Sequence, residues 1–404
     1  MKQFILIGLP CVLLLLGGCS YENPPAIWNP ELNLEGSPVI HQIIPDGKEF
    51  FDDMEIRIIG ENFSPSLEEN KVYFNNERAV LLSASPTELK VRRPRVTGDS
   101  ITVKVVVGKQ VKIAQFRPYR IEKLYDEMGK FTSSNLLYTI TIDNQENIYA
   151  YAQGPIIYKI SPDNVKTEFS LPPMTRAIQM RIGPGGYLYV AGAVGKTKGV
   201  FRLPPTGGNE MEQIYTSKLN YNVVEFDKNG RLFVCGKSSP LIIIDQSGNV
   251  VNTGRYDRFN VLEMRIVDDR LYVLGIYYGD RKDFPEIGLF SSRLTAEGGV
   301  SEETVLLDWS KTEYSDSQLL SFALADDGDI LLGTSGSNPI LILHPNGSIE
   351  PLYPTLLTPS AAGLAWGNSN YLYMMRGNEG GQFEAGRIFR IRLKKKGAPY
   401  YGRG

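Results

Sequence analysis

The chain lacks most of what enzyme chemistry draws on. Its 404 residues include two histidines, His41 and His344, so imidazole catalysis or imidazole metal binding has little to work with. Three cysteines are present: Cys11 and Cys19 sit at the amino terminus and Cys235 stands alone. If the first two are consumed there, no disulfide can form within the rest of the chain, and Cys235, in Arg231-Leu232-Phe233-Val234-Cys235, reads as a small hydrophobe on a strand. An excess of one charge is also missing. Lys and Arg number 43 against 45 Asp and Glu, a net charge of −2, which leaves no basic footprint for nucleic acid. No hydrophobic run reaches the about 20 residues of a spanning helix. Glycine-rich Gly183-Pro184-Gly185-Gly186 precedes a strand, so it is no phosphate cradle. Asp326-Asp327-Gly328-Asp329 lacks the later acidic ligands of a calcium loop and reads as a polar hairpin turn. These absences predict no cofactor and no bound metal.

The amino terminus is informative. Lys2 supplies a positive start, Phe4 to Leu16 an apolar core, and Leu16-Gly17-Gly18-Cys19 ends it. The pattern resembles the lipobox of bacterial lipoproteins. It implies a signal peptide over 1–18, lipidation of Cys19, and stable anchoring, since two acyl signals or more hold a protein on a bilayer. Residues 19–36, with Pro24, Pro25 and Pro30 and no periodicity, read as an extended tether. Ser20-Tyr21 after the cysteine carries no aspartate, which favours the outer membrane.

Residues 37–117 alternate apolar and polar residues in short runs broken by turn residues, the signature of a small all-β sandwich. Ile44-Pro45-Asp46-Gly47, Gly60-Glu61-Asn62-Phe63, Val72-Tyr73-Phe74 and Leu89-Lys90-Val91 resemble the immunoglobulin-like IPT/TIG domain. The resemblance implies a spacer or interaction module.

Residues 118–395 form the next domain, and 137–393 within it contain an internal repeat. Turn plus strand recurs as Asp143 to Tyr149, Gly183 to Tyr189, Asp227 to Phe233, Asp268 to Tyr272, Asp326 to Leu331 and Gly367 to Tyr373. Central residues step by roughly 40, 44, 39, 59 and 42 positions, in the range of four-stranded propeller blades. Five fourth strands can be placed and the sixth is missing. The strand at 119–125 is expected to replace it by pairing with the last strand near 388–393, which closes the ring and removes both open edges. The fold expected is therefore all-β: an Ig-like sandwich, then a six-bladed β-propeller, with 396–404 as a tail. The repeats resemble NHL-type propellers.

In such a ring the first-to-second strand turns share one face, and the second-to-third loops share the other with the blade-to-blade connections. The first group reads as tight hairpins. Longer loops are expected at Ala193 to Gly199, Ile276 to Phe284 and Arg376 to Gly386, which makes theirs the binding face. Tyr277, Tyr278 and Phe284 with Asp280, Arg281 and Asp283 form its candidate ligand site: flat rings cover apolar faces and the charges orient polar groups. Trp309 and Trp366 read as core. Asn222, Glu225, Glu263 and Arg265 are expected near the central channel. Sequence spacing aligns Thr139, Gln179, Glu225, Met264, Phe322 and Leu364, which share no chemistry.

The leading expectation is a non-catalytic envelope lipoprotein that binds a glycan or protein ligand, resembling the lipid-anchored glycan-binding proteins of polysaccharide-uptake systems, with an outer-membrane transporter as partner. The alternatives are a lactonase- or lyase-type propeller enzyme with a central metal, and a scaffold that docks an outer-membrane protein.

Overall fold

The computed structural model describes residues 36–47, 54–108, 113–132, 135–296, 298–377 and 386–403. Cys19, the tether to residue 35, and positions 378–385 of the blade-six loop lie outside the described residues. Among those described, regular structure is strand plus three single-turn 3₁₀ segments, and no helix is long and apolar enough to cross a membrane.

The amino-terminal domain is a sandwich of two antiparallel sheets. Strands β1 (Val39–Ile44), β2 (Glu55–Glu61), β3 (Asn70–Phe74), β4 (Glu77–Arg78), β5 (Leu81–Ala84), β6 (Glu88–Arg92), β7 (Gly98–Val107) and β8 (Ala114–Ile121) arrange as β1-β2-β6-β5 and β4-β3-β7-β8. Alternation sets the faces: Ile56 and Ile58 of β2, and Ile101, Val103 and Val105 of β7, meet in one core with Val72, Phe74, Leu89 and Val91. The Gly60-Glu61-Asn62-Phe63 element has a steric origin. A Cβ on Gly60 would lie 1.9 Å from the Val39 carbonyl and 2.5 Å from the Phe63 ring, so only glycine lets Phe63 close the sandwich end. Asn62 takes the left-handed turn (φ 61°) and its side-chain amide donates to the Ser37 carbonyl at 3.0 Å.

The rest is a six-bladed propeller. Inner to outer, the blades are Leu137–Ile142, Ile148–Ala152, Ile156–Ile160, Lys166–Ser170; then Arg176–Ile182, Leu188–Val194, Thr197–Leu203, Glu212–Ser217; then Asn220–Phe226, Leu232–Lys237, Ser239–Ile244, Val250–Asn252. Blade four follows as Phe259–Val267, Arg270–Tyr277, Ile287–Arg293, Thr304–Asp308, and blade five as Leu319–Leu324, Ile330–Thr334, Ile340–Leu343, Ile349–Pro351. Blade six has Gly363–Trp366, Tyr371–Arg376 and Arg387–Arg392 from the carboxy terminus, with β9 (Tyr125–Met128) as its outer strand. Each innermost strand touches the next, and that of blade one touches that of blade six, so the circle is complete.

Closure takes the expected form at a shifted position. Ile391 pairs with Tyr125 and Ile388 with Met128, so the closing residues are 125–128 and overlap 119–125 only at Tyr125. The reason is burial: Tyr119 and Ile121 belong to the sandwich core, while Leu124 is the first residue in the propeller core. A strand committed to one core cannot also complete the other.

The inner hairpins explain the repeated Asp. In blade one, Asp143 accepts from Gln145 N (2.9 Å) and Asn147 N (2.8 Å); in blade three, Asp227 accepts from Asn229 N (3.0 Å) and Arg231 N (2.9 Å). The carboxylate thus fixes its own turn, as an Asx turn does. Blade two departs from the expected long loop. Its second and third strands pair through Val194 and Thr197, leaving a two-residue turn in which Gly195 adopts φ 58°.

Candidate functional site

The hairpin register reveals one backbone feature repeated around the central channel. In blades one to five the innermost strand carries a β-bulge near its start, skipping Tyr138, Ile178, Asn222, Leu262 and Leu320. Both neighbours of each are buried, whereas the bulged residues are half-buried or exposed, with Tyr138 at 45% and Leu262 at 36%. They encircle the channel mouth on the face of the long loops. Bulges re-aim side chains and are frequent beside binding sites.

Below the mouth the channel is filled. Register groups Thr139, Gln179, Val223, Glu263, Ser321 and Gly363 in one layer, and Thr141, Arg181, Glu225, Arg265, Ala323 and Ala365 in the next. This corrects the alignment by sequence spacing, which took Thr139 and Gln179 from the first layer and Glu225 from the second, because spacing from the turns does not give the pairing register. Met264, Phe322 and Leu364 belong to a third, apolar layer between these two. Glu263 accepts from Arg265 Nη2 (2.6 Å), from Arg181 Nη2 (3.1 Å) and from Phe322 N (2.8 Å). Arg265 also donates to the Leu364 carbonyl at 3.0 Å. Glu225 Oε1 accepts from Phe226 N (2.9 Å), and Oε2 lies 3.6 Å from Arg181 Nε and 3.9 Å from Arg265 Nη1. Burial pushes the Glu225 carboxyl up while the two guanidinium groups pull it down. Burial pushes Arg265 down, and Arg181 adds to this. Small Ala323, Ala365 and Gly363 on blades five and six leave room for the arginines of blades two and four. Asn222 is one of the bulged residues and stays at the mouth.

The opposite end is closed by the chain itself. Residues 396–403 cross the hairpin face: Asp326 N donates to Lys396 O (3.0 Å), Ala398 N to Leu324 O (2.9 Å), Tyr400 OH to Ile182 O (2.7 Å), and Asp268 N to Tyr401 OH (2.9 Å). Lys395 bridges Asp327 and Asp329, so the acidic turn holds the tail. Asp329 also meets His344 Nδ1 at 2.9 Å. A cavity of about 50 Å³ remains between Arg181, Arg265 and the tail's Ala398 to Tyr400. Among the described residues no group of three acidic, histidine or cysteine side chains is placed to hold a metal ion. The two channel carboxylates face guanidinium groups.

The blade-four loop brings its six predicted residues together but uses them unequally. Phe284 stacks on Phe290 (5.4 Å, 25°), and Tyr277 packs on Phe284 (5.0 Å) and Phe259 (4.9 Å), so both rings turn inward. The Arg281 guanidinium lies 3.8 Å over Phe284 and pairs with Asp283 at 2.7 Å, and Arg281 N donates to Tyr277 OH at 3.2 Å. Tyr278, 51% exposed, with Asp280, Arg281, Lys282 and Asp283, is what the loop shows to solvent.

A second concavity on the same face was missed by sequence. A notch of about 420 Å³ between blades one and two is lined by Tyr138, Tyr151, Gln153, Met174, Thr175 and Ile178, among others. The signal was present as Tyr138 beside the first repeat, but nothing in the periodicity separates a bulged tyrosine from a core one. A larger cleft of about 950 Å³ lies between the sandwich and blade six. Several of its charged groups are already engaged: Arg95 of the sandwich donates to Thr355 O (2.7 Å), and Arg390 pairs with Asp126 (3.3 Å) within blade six.

Trp309 and Trp366 are core, as expected. Trp309 Nε1 donates to Ser317 O at 2.8 Å, and Trp366 is under the tail against Gly397. Cys235 is fully buried on its strand, its thiol pushed up to about 12 by burial.

This is the architecture of an Ig-like module carrying a six-bladed β-propeller. The IPT/TIG domain model matches residues 38–118. No curated protein matches the chain by sequence. Among solved structures, the chain is similar to an auxiliary nutrient binding protein from Bacteroides thetaiotaomicron, at 11% identity and TM-score 0.51 over 89% of this chain and 99% of that one. A chain from the same organism with the provisional label of a phosphatase gives 11% identity and TM-score 0.54 over 89% and 98%. A luciferin-regenerating enzyme gives 14% and 0.50 over 68% and 95%. At these identities the likeness establishes the fold. A binding protein and enzymes share it, so function must be argued from the site.

Proposed function

We propose that this chain is a lipid-anchored cell-envelope binding protein: Cys19 carries the lipid, the Ig-like domain is the spacer, and the loop face of the propeller takes a glycan or protein ligand. The asymmetry of the ring carries this reading. One end of the channel is covered by the chain's own tail, and the other is ringed by bulged side chains and exposed tyrosines. Tyr278, Asp280 and Arg281 are the contact edge in blade four, and Tyr277 and Phe284 are its rigid backing. The likeness to an auxiliary nutrient binding protein over nearly its whole length supports a role in nutrient capture, for which an outer-membrane transporter is the fitting partner. A central-metal lyase fits less well, because Glu225 and Glu263, the carboxylates that could hold an ion there, are opposed by Arg181 and Arg265.

Two measurements test this. Radiolabelled palmitate should enter the wild-type chain and not Cys19→Ala, which should leave the membrane fraction; labelling that survives removes the anchor. A polymer attached at Asp280→Cys, on the loop face, should block binding of fluorescent oligosaccharide and peptide panels, while the same polymer at Lys228→Cys, on a blade-three hairpin, should not. The reverse pattern would assign the ligand to the wrong face.

A further inference from the structure

We propose that the notch between blades one and two is a subsite for a neutral pyranose ring; this rests on the loop face being the ligand face. None of the residues that line it carries a formal charge, so a uronate, sulfated sugar or peptide terminus would enter without a counter-charge.

Three observations point to a sugar. The first is the platform. Leu137 and Thr139 are buried on either side of Tyr138, and the bulge turns the Tyr138 ring out to 45% exposure, backed by the buried Tyr151 at 5.9 Å and 48°. A pyranose has one face of axial C–H groups that covers an aromatic ring in this way, which makes the apolar gain without buried polar atoms. The second is the rim. Gln153 is exposed and offers an amide, which can both donate to and accept from hydroxyls. Thr175 directs its hydroxyl hydrogen to Ala193 O (3.1 Å) or Gly195 O (3.3 Å), which leaves lone pairs to accept from a hydroxyl. The third weighs against the main competitor. Peptide main chain is captured by free backbone donors and acceptors, and here Gln153 N is bonded to Leu136 O and Thr175 N to Ala193 O, both at 2.9 Å. The volume, about 420 Å³, falls in the roughly 300–1,000 Å³ range of small-molecule sites.

The test uses the purified full chain in detergent. Probes are neutral cello-, malto-, xylo- and manno-tetrasaccharides, tetragalacturonate as the acidic comparison, and a tryptic digest of casein as the peptide comparison, each titrated calorimetrically. At least one neutral tetrasaccharide should bind. Tyr138→Ala should weaken it at least about tenfold, or ~1.4 kcal/mol, with the thermal midpoint unchanged because the ring is half in solvent. Tyr138→Trp should keep the affinity, as only a stacking role allows, and Gln153→Ala should weaken binding severalfold. No binding of any neutral probe at millimolar concentration overturns the proposal, and so does binding confined to tetragalacturonate or casein peptides. If neutral-sugar binding survives Tyr138→Ala yet is blocked by polymer at Asp280→Cys, the notch fails and the face stands. If neither change matters, both fail.

Discussion

Replacing Glu263 by Gln tests whether the channel is held by compensated charge. Among the described residues Glu263 is the one carboxylate within hydrogen-bond distance of both arginines, and its second oxygen fixes Phe322 N of the next blade. Gln keeps the volume, so no cavity opens, and can still accept from Phe322 N. What changes is the balance. Arg181 and Arg265 would face Glu225 alone, leaving about one unit of positive charge uncompensated at residues that are almost fully buried. Breaking a buried pair from one side costs about 3–5 kcal/mol. With a urea slope of about 2–3 kcal/mol per molar, the propeller's unfolding midpoint should fall by about 1–2.5 M. Trp309 and Trp366 report the transition by fluorescence, and urea is preferred because an ionic denaturant would screen the effect. The double change Glu263→Gln with Arg265→Met removes one charge of each sign and should recover part of the loss. A single variant that loses less than about 1 kcal/mol, or a double variant no more stable than the single, refutes the argument.

Three further outcomes follow from local geometry. Cys235, buried and with its thiol held near 12, should resist maleimide in the native protein and react at once in urea; rapid native labelling would contradict its placement. His344 is raised above its ordinary 6.5, chiefly by its hydrogen bond to Asp329, so the stability it confers is complete below pH 6.5 and fades as pH climbs through the raised value. His344→Gln should flatten that slope by up to about 1 kcal/mol, seen in urea melts across this window, and an unchanged slope would show that the pair is idle. Deleting residues 397–404 should uncover Trp366 and raise acrylamide quenching of tryptophan fluorescence, with a smaller rise for Lys395→Ala; equal quenching in all three would mean the tail covers nothing.

The parts legible in the sequence were those whose cause is local. Period-2 alternation in 55–61 and 98–107 marked sandwich strands because each has one wet face. Asp143 and Asp227 marked hairpins because each carboxylate bonds its own turn. The need to seal an open sheet predicted a borrowed strand, yet not its residues, because Tyr119-Arg120-Ile121 and Tyr125-Asp126-Glu127-Met128 alternate alike and only the two competing cores tell them apart. The site was less legible for the same reason. Tyr277 and Phe284 look like ligand aromatics by composition, and it takes Phe259 and Phe290, both distant in sequence from Tyr277 or adjacent across a strand, to turn them inward.

The bulges separate what the fold requires from what a ligand would read. The same slip near the start of five inner strands cannot follow from side chains, since Tyr138, Ile178, Asn222, Leu262 and Leu320 share neither size nor polarity. It follows from the circle: strands converging on a common axis need extra twist at their ends, and an added residue in one strand of a pair supplies it. The backbone at the mouth is therefore dictated by architecture, while the five projecting side chains are unconstrained by it. No packing requirement demands an aromatic there, and four blades do without one. Tyr138 alone departs from this, and it does so where Tyr151 backs it and an uncharged notch opens beside it. Replacement of Leu262 or Leu320, bulged residues outside the notch, by Ala should therefore leave both stability and sugar affinity nearly unchanged, whereas Tyr138→Ala should cost affinity alone.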